Sequence, residues 1–95
     1  MISFTVRMRF DAKELDEIRK NLEALTIASR QEPGCVNYVA HFLADDPTTV
    51  LIYEQYVDDA ALDHHRATLH FKEHAIGGFY QRLRERNVEN LVALV

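Results

Sequence analysis

"VLIYEQYVDDAALDHHRATLHF", residues 50–71, carries the reading of the fold. Its first eight residues are rich in β-branched and aromatic side chains, the composition of a strand. Asp58 then stands where a helix N-cap belongs, opening the short helix "DAALDHHRA". Thr68 interrupts that helix, and a second helical run follows with Phe71, Ala75, Phe79 and Leu83 at spacings of four. The pair Gly77-Gly78 weakens this run by about 1 kcal/mol per glycine relative to alanine, so it is expected to kink or end there.

Upstream, "ADDPTT" (44–49) is a turn cluster joining this strand to another, Val36 to Leu43, in a hairpin whose turn is expected to exceed two residues. Before it, "EPGC" (32–35) stops a helix, because the residue preceding a proline avoids helical angles and Gly34 tolerates the turn. That helix, residues 12–31, has Leu15, Ile18, Leu22 and Leu25 at helical spacing and a capping box from Asp11 to Glu14. Residues 2–10 alternate, with Ile2, Phe4, Val6 and Met8 on one face. The last nine residues, "NVENLVALV", read as a fourth strand. The order β-α-β-β-α-β with a split second helix is ferredoxin-like, an α+β fold in a single domain spanning residues 1–95.

With 95 residues, 47% of them apolar and 27% charged, the chain has room for one small core. No window approaches the ~20 apolar residues of a membrane span, and "MISFTVRMRF" lacks the layout of a signal peptide, so the expectation is a cytoplasmic protein with no membrane partner. Cys35 is the single cysteine, which excludes an intrachain disulfide and a multi-thiolate zinc site. The net charge of −4 gives no broad footprint for nucleic acid, although Arg82, Arg84 and Arg86 form a local basic run. Helices on one sheet face leave the other bare. There Val39, Leu51, Tyr53, Leu91 and Val95 are expected to be exposed, so a homodimer packed through that face and the apolar terminal strand is expected.

Four of the five histidines lie between residues 64 and 74. His70 and His74 are four apart, a spacing that suits a metal, but no third ligand stands at a diagnostic offset, and no metal is expected. His64 falls with Asp63 on an outer flank, whereas His65 follows Ala61 and Leu62 onto the inward stripe. Such a histidine is either satisfied by a core hydrogen bond or poised for proton transfer. Glu54 bears on the choice: it shares an apolar strand face with Val50, Ile52 and Tyr56, where a carboxylate needs a partner. We expect it to accept a hydrogen bond from His65 and orient that imidazole as a base.

"EPGCVNY" followed by "YEQYVDDAALDHHRATLHF" resembles the antibiotic biosynthesis monooxygenase domain, with the sharpest match over residues 32–71. In that family a Glu-Pro-Gly-Cys turn leads to a tyrosine strand, and a Tyr-Glu-x-Trp strand end precedes Ala-Leu-x-x-His and Ser-Pro-His-Phe. Tyr38, Glu54, His65, His70 and Phe71 occupy the recurrent positions, while Tyr56 replaces the tryptophan and Leu69 the proline. The resemblance implies a dimeric α+β barrel with a pocket between sheet and helices. It also implies oxidation of a small phenol or hydroquinone by dioxygen without metal, flavin or other cofactor. His65 and Glu54 would then be catalytic, and Tyr38, Tyr56, His70 and Phe71 would bind substrate. Other readings stay open. The same dyad serves an isomerase like the one acting on phosphorylated autoinducer-2; His70 or His74 suits a haem-handling protein, though tryptophan is absent; and a non-catalytic binding protein would keep the pocket alone.

Overall fold

The structure is a computed structural model that describes residues 1–94. Strand β1 (Ile2–Arg9) turns Phe4, Val6 and Met8 inward, the set expected from its alternation. It lies beside β3 (Asp46–Tyr56), and the edges are β2 (Cys35–Leu43) and β4 (Glu85–Leu91), giving the order β2-β3-β1-β4 with every neighbouring pair antiparallel. Each βαβ connection therefore spans one intervening strand, which is the ferredoxin-like topology. Helix α1 (Leu15–Ser29) buries Ile18, Leu22 and Leu25 against this sheet. Helix α2 (Asp59–Ala67) contributes Leu62 and His65 to the same layer. Each fully buried leucine or isoleucine in it stabilises by about 1.5–3 kcal/mol, so the inward faces supply most of the cohesion.

The break at Thr68 is sharp and local. Asp58 caps α2 through the Ala61 amide at 2.8 Å, and Thr68 closes the far end by donating its hydroxyl to the His65 carbonyl at 2.7 Å. The same hydroxyl accepts from the Phe71 amide at 3.2 Å, so one side chain ends α2 and starts α3 (Leu69–Phe71). Leu69, where the family has proline, is exposed at the first helical position, and the kink survives because Thr68 is extended. Beyond it the run widens into a π-helical turn, Lys72–Ile76, and ends at Gly77-Gly78 before a 3₁₀ turn, Phe79–Arg82.

Three expectations need correction. Asp11 and Glu14 form no capping box, because their carboxylates are taken by Arg84 at 2.5 Å and Arg82 at 2.9 Å. The β2–β3 turn is only Ala44-Asp45, since Asp46 gathers the Thr48 amide and hydroxyl and the Thr49 hydroxyl and so draws "DPTT" into β3 as an irregular strand start. Strand β4 begins two residues earlier than read and stops at Leu91, its start fixed by the pairing of Arg9 with Glu85, whose side chains meet at 3.0 Å.

On the sheet face away from the helices, Val39, Leu51 and Tyr53 are half-buried and Leu91 is exposed, amid Thr5, Arg7 and a hydrogen-bonded row of Asn37, Gln55 and Ser3. This face is more polar than the sequence pattern suggested. Val92 and Leu94, past the end of β4, are almost fully exposed, and Val95 lies outside the described residues.

Candidate active site

Register places Tyr38, Glu54 and Phe4 side by side on β2, β3 and β1, all on the helix-covered face. Glu54 is buried there, and its Oε1 accepts a hydrogen bond from the Tyr56 hydroxyl at 2.6 Å. Helix α2 lowers His65 onto this row until its imidazole is 2% exposed, with ring centres of Tyr56, Phe71 and Tyr38 at 5.1, 5.2 and 5.8 Å. Glu54 and His65 thus share one face, as expected.

They are not hydrogen-bonded, which corrects the expected dyad. His65 Nε2 stands 3.8 Å from Glu54 Oε1, too far for such a bond. The other ring nitrogen explains why: His65 Nδ1 donates to Glu32 at 2.9 Å, and His70 Nε2 donates to the same carboxylate at 2.5 Å. An ionised carboxylate only accepts, so both nitrogens facing it carry their protons. His65 is thereby held as the Nδ1–H tautomer, and its Nε2 lone pair is turned toward Glu54.

Glu32 is the residue that sequence reasoning missed. It sits in the "EPGC" motif, read only as a turn. Its position depends on Gly34, but not through unusual backbone angles, since the described glycines have none with positive φ. A Cβ on Gly34 would lie 2.3 Å from the Ala61 Cβ, so only glycine lets α2 settle against this turn and bring His65 to Glu32. The Cys35 amide bonds the Glu32 carbonyl at 3.1 Å and the Val57 amide bonds the Gly34 carbonyl at 2.9 Å, fastening the turn to both strands.

Burial sets the protonation of the site. It pushes the Glu54 carboxyl from 4.5 up to about 7, with the Tyr56 bond and the charges of Arg66 and Arg86 opposing it in part. Burial also lowers the His65 imidazole below 6.5 despite the Glu32 bond, so at neutral pH it is an uncharged acceptor. The Cys35 thiol is pushed up to about 11, mainly by burial, and is no nucleophile at pH 7.

Tyr38, Glu54, His65, Phe71, Tyr80 and Arg86 line a cavity of about 30 Å³, room for one water. His70 and Tyr56 stand behind its wall, on Glu32 and Glu54 respectively. His64 is exposed, and His74 meets the Asn21 side chain at 3.2 Å. A larger groove of about 370 Å³ runs between α1 and β2 past Arg19, Ile27, Arg30 and Phe42. Its own carboxylate and imidazole, Glu23 and His41, are exposed, whereas Glu54 and His65 in the smaller cavity are buried, and the chemistry points to the latter. A divalent ion would find its donors in Glu32, His65 and His70, whose ligand atoms lie within 4.8 Å of one another, rather than in His70 and His74.

These features define a class: a ferredoxin-like protomer with a histidine–carboxylate pocket between the sheet and a split second helix. The chain belongs to the antibiotic biosynthesis monooxygenase family, whose model matches residues 1–75. It is similar in structure to an antibiotic biosynthesis monooxygenase, 26% identical, with a TM-score of 0.91 and 100% of both chains covered. A Pseudomonas aeruginosa protein is 28% identical, with a TM-score of 0.89 over 99% of this chain and 94% of that one. A Mycobacterium tuberculosis protein is 25% identical, with a TM-score of 0.87 over 99% and 95%. No curated protein matches the chain. No helix among the described residues is long and apolar enough to cross a membrane.

Proposed function

We propose that the chain is a cofactor-independent monooxygenase of small phenols or hydroquinones, with His65 as the general base. The supporting observation is the His65 ring itself, fixed by Glu32 at 2.9 Å through Nδ1 so that Nε2 faces the cavity beside Glu54. His65 takes the phenolic proton, and the electron-rich phenolate passes one electron to dioxygen. The resulting superoxide and phenoxyl radical combine at a ring carbon bearing hydrogen. His65 returns its proton to the peroxide so formed, and loss of water from the resulting hydroperoxide leaves a quinone, with one oxygen atom in the product and the other in water. Tyr38 and Phe71 sandwich the ring, and the apolar walls keep competing water away.

Oxygen uptake by the purified, metal-free protein over a panel of quinols tests this reading. His65→Ala should lower turnover by about 10²- to 10⁴-fold, the usual contribution of a general base. His64→Ala should leave it unchanged, because that side chain is exposed. Near wild-type turnover in His65→Ala would refute the assignment. Conversion that proceeds equally without oxygen would replace the monooxygenase by an isomerase using the same base, and ligand binding without any turnover would leave a binding protein.

We also propose that the working unit is a cytoplasmic homodimer. Val39, Leu51 and Tyr53 on the open face, together with the exposed Val92 and Leu94, give a second copy apolar surface to cover. Sedimentation of a well-folded monomer at micromolar concentration would overturn this.

A further inference from the structure

The cavity rim carries two arginines that the mechanism does not use. Arg66 follows His65 on α2, and Arg86 projects from β4 onto the helix side, where no helix covers that strand. Three neighbouring arginines have carboxylate partners, Arg9 with Glu85, Arg82 with Glu14 and Arg84 with Asp11, while Arg7 faces the other side of the sheet. Arg66 and Arg86 form no ion pair among the described residues. Arg86 lies instead over the Tyr80 ring, 5.5 Å from its centre, across the mouth of the cavity. In a chain of net charge −4, two guanidiniums without an ion-pair partner among the described residues line the cavity beside the buried base. Glu54 feels both charges but forms no ion pair with either, because it is buried with its Oε1 on Tyr56.

We propose that Arg66 and Arg86 form an oxyanion subsite, so that the natural substrate carries a carboxylate or phosphate next to the hydroxyl-bearing group that His65 deprotonates. This rests on the general-base reading of His65. Guanidinium forks match the planar or tetrahedral oxygens of such groups, and charge-assisted bonds to them are among the strongest a protein makes. The subsite also accounts for the cavity's small volume of about 30 Å³. An arriving anion draws Arg86 off the Tyr80 ring, and the mouth widens to admit the ring behind it.

The test is equilibrium binding to the full chain of three probes that share one ring: hydroquinone, 2,5-dihydroxybenzoate and 4-hydroxyphenyl phosphate. Either anionic probe should bind about tenfold or more tighter than hydroquinone at low salt, since one charge-assisted contact is worth at least that factor. Whichever of the two binds tighter identifies the group as carboxylate or phosphate. Arg66→Gln and Arg86→Gln should each bring the anionic probes down toward the affinity of hydroquinone, as should high salt. Both positions are exposed, so the variants should retain the wild-type circular dichroism spectrum. Equal affinity for all three probes, absence of binding by all three, or a preference that survives both substitutions would overturn the subsite. If the arginines serve only to steady Glu54, neutral and anionic probes will weaken together, which also overturns it. Arginine-dependent anion binding without oxygen uptake would sustain the subsite and refute the monooxygenase.

Discussion

Glu32→Gln isolates what orients the base. The substitution keeps the size of the side chain but replaces a carboxylate that accepts from His65 at 2.9 Å and from His70 at 2.5 Å. Both imidazoles meet the same oxygen, Oε2, so an amide whose oxygen takes that place keeps both bonds without the charge. Where the amide nitrogen takes it instead, His65 Nδ1 must turn acceptor, its proton moves to Nε2, and the lone pair facing the cavity is lost. Turnover should then fall within the 10²- to 10⁴-fold range of a lost general base. The stability cost is smaller. Charge-assisted bonds of about 1.5–3 kcal/mol each become neutral ones of about 0.5–1.5, a loss of roughly 1–3 kcal/mol in all, which a domain with 5–15 kcal/mol of stability survives. At about 4–8 °C per kcal/mol for a domain of this size, the melting temperature should drop by roughly 5–20 °C. Oxygen uptake, a thermal melt and nitrogen NMR of the imidazoles read the three effects separately. Near wild-type turnover in a variant whose His65 proton has moved to Nε2, or lost activity in one that keeps it on Nδ1, would refute the orienting role.

Gly34→Ala should destabilise the fold by about 1–3 kcal/mol, because its Cβ would meet the Ala61 Cβ at 2.3 Å and the turn and α2 must part. Thermal melts would show it, and Ala61→Gly should restore both stability and turnover. Glu54 has a folded pKa near 7 against an ordinary 4.5, so its stabilising contribution is complete below the ordinary value and is lost as pH rises through about 7. Glu54→Gln should therefore flatten the fall in melting temperature between acid and mildly alkaline pH; an unchanged profile would mean another group carries it. Metal analysis of protein purified without an affinity tag should find well under one equivalent of zinc or iron. A stoichiometric ion that survives chelation, and is lost in Glu32→Gln, would place a metal on Glu32, His65 and His70.

Much of the fold was legible because its signals are local. Alternation in β1, the Asp58 cap and the Thr68 break each rest on a few adjacent residues, and each appears where the pattern put it. The elements that shifted are those whose ends are decided across strands. Strand β4 starts where Glu85 meets Arg9, not where its apolar residues begin. The two-residue β2–β3 turn depends on Asp46 folding back on Thr48 and Thr49, a bonding choice that composition leaves open. The site divides the same way. His65 and Glu54 were readable from the stripe or strand face each occupies, Tyr38 and Phe71 only from the family resemblance. Glu32 was not, since it stands in a turn with no period, 33 residues before His65, and reaches it only through the missing side chain of Gly34.

That division bears on why the site needs two carboxylates. Each nitrogen of His65 faces one of them, Glu32 at 2.9 Å and Glu54 at 3.8 Å, and the difference separates their roles. The short contact leaves no room for a third group and fixes the ring. The longer one is too wide for a direct bond, yet a hydroxyl oxygen about 2.8 Å from each atom fits beside the pair, at the apex of a nearly right-angled triangle. On the proposed mechanism a phenol seated there gives its proton to His65, the uncharged acceptor, while Glu54 is tied to Tyr56 and its pKa is raised by burial to about 7. A proton taken up by His65 raises the charge of a buried ring, and Glu54 can meet that charge as a carboxylate. Placing the orienting carboxylate in the turn and the responsive one on the sheet lets the ring stay fixed while the charge beside it changes.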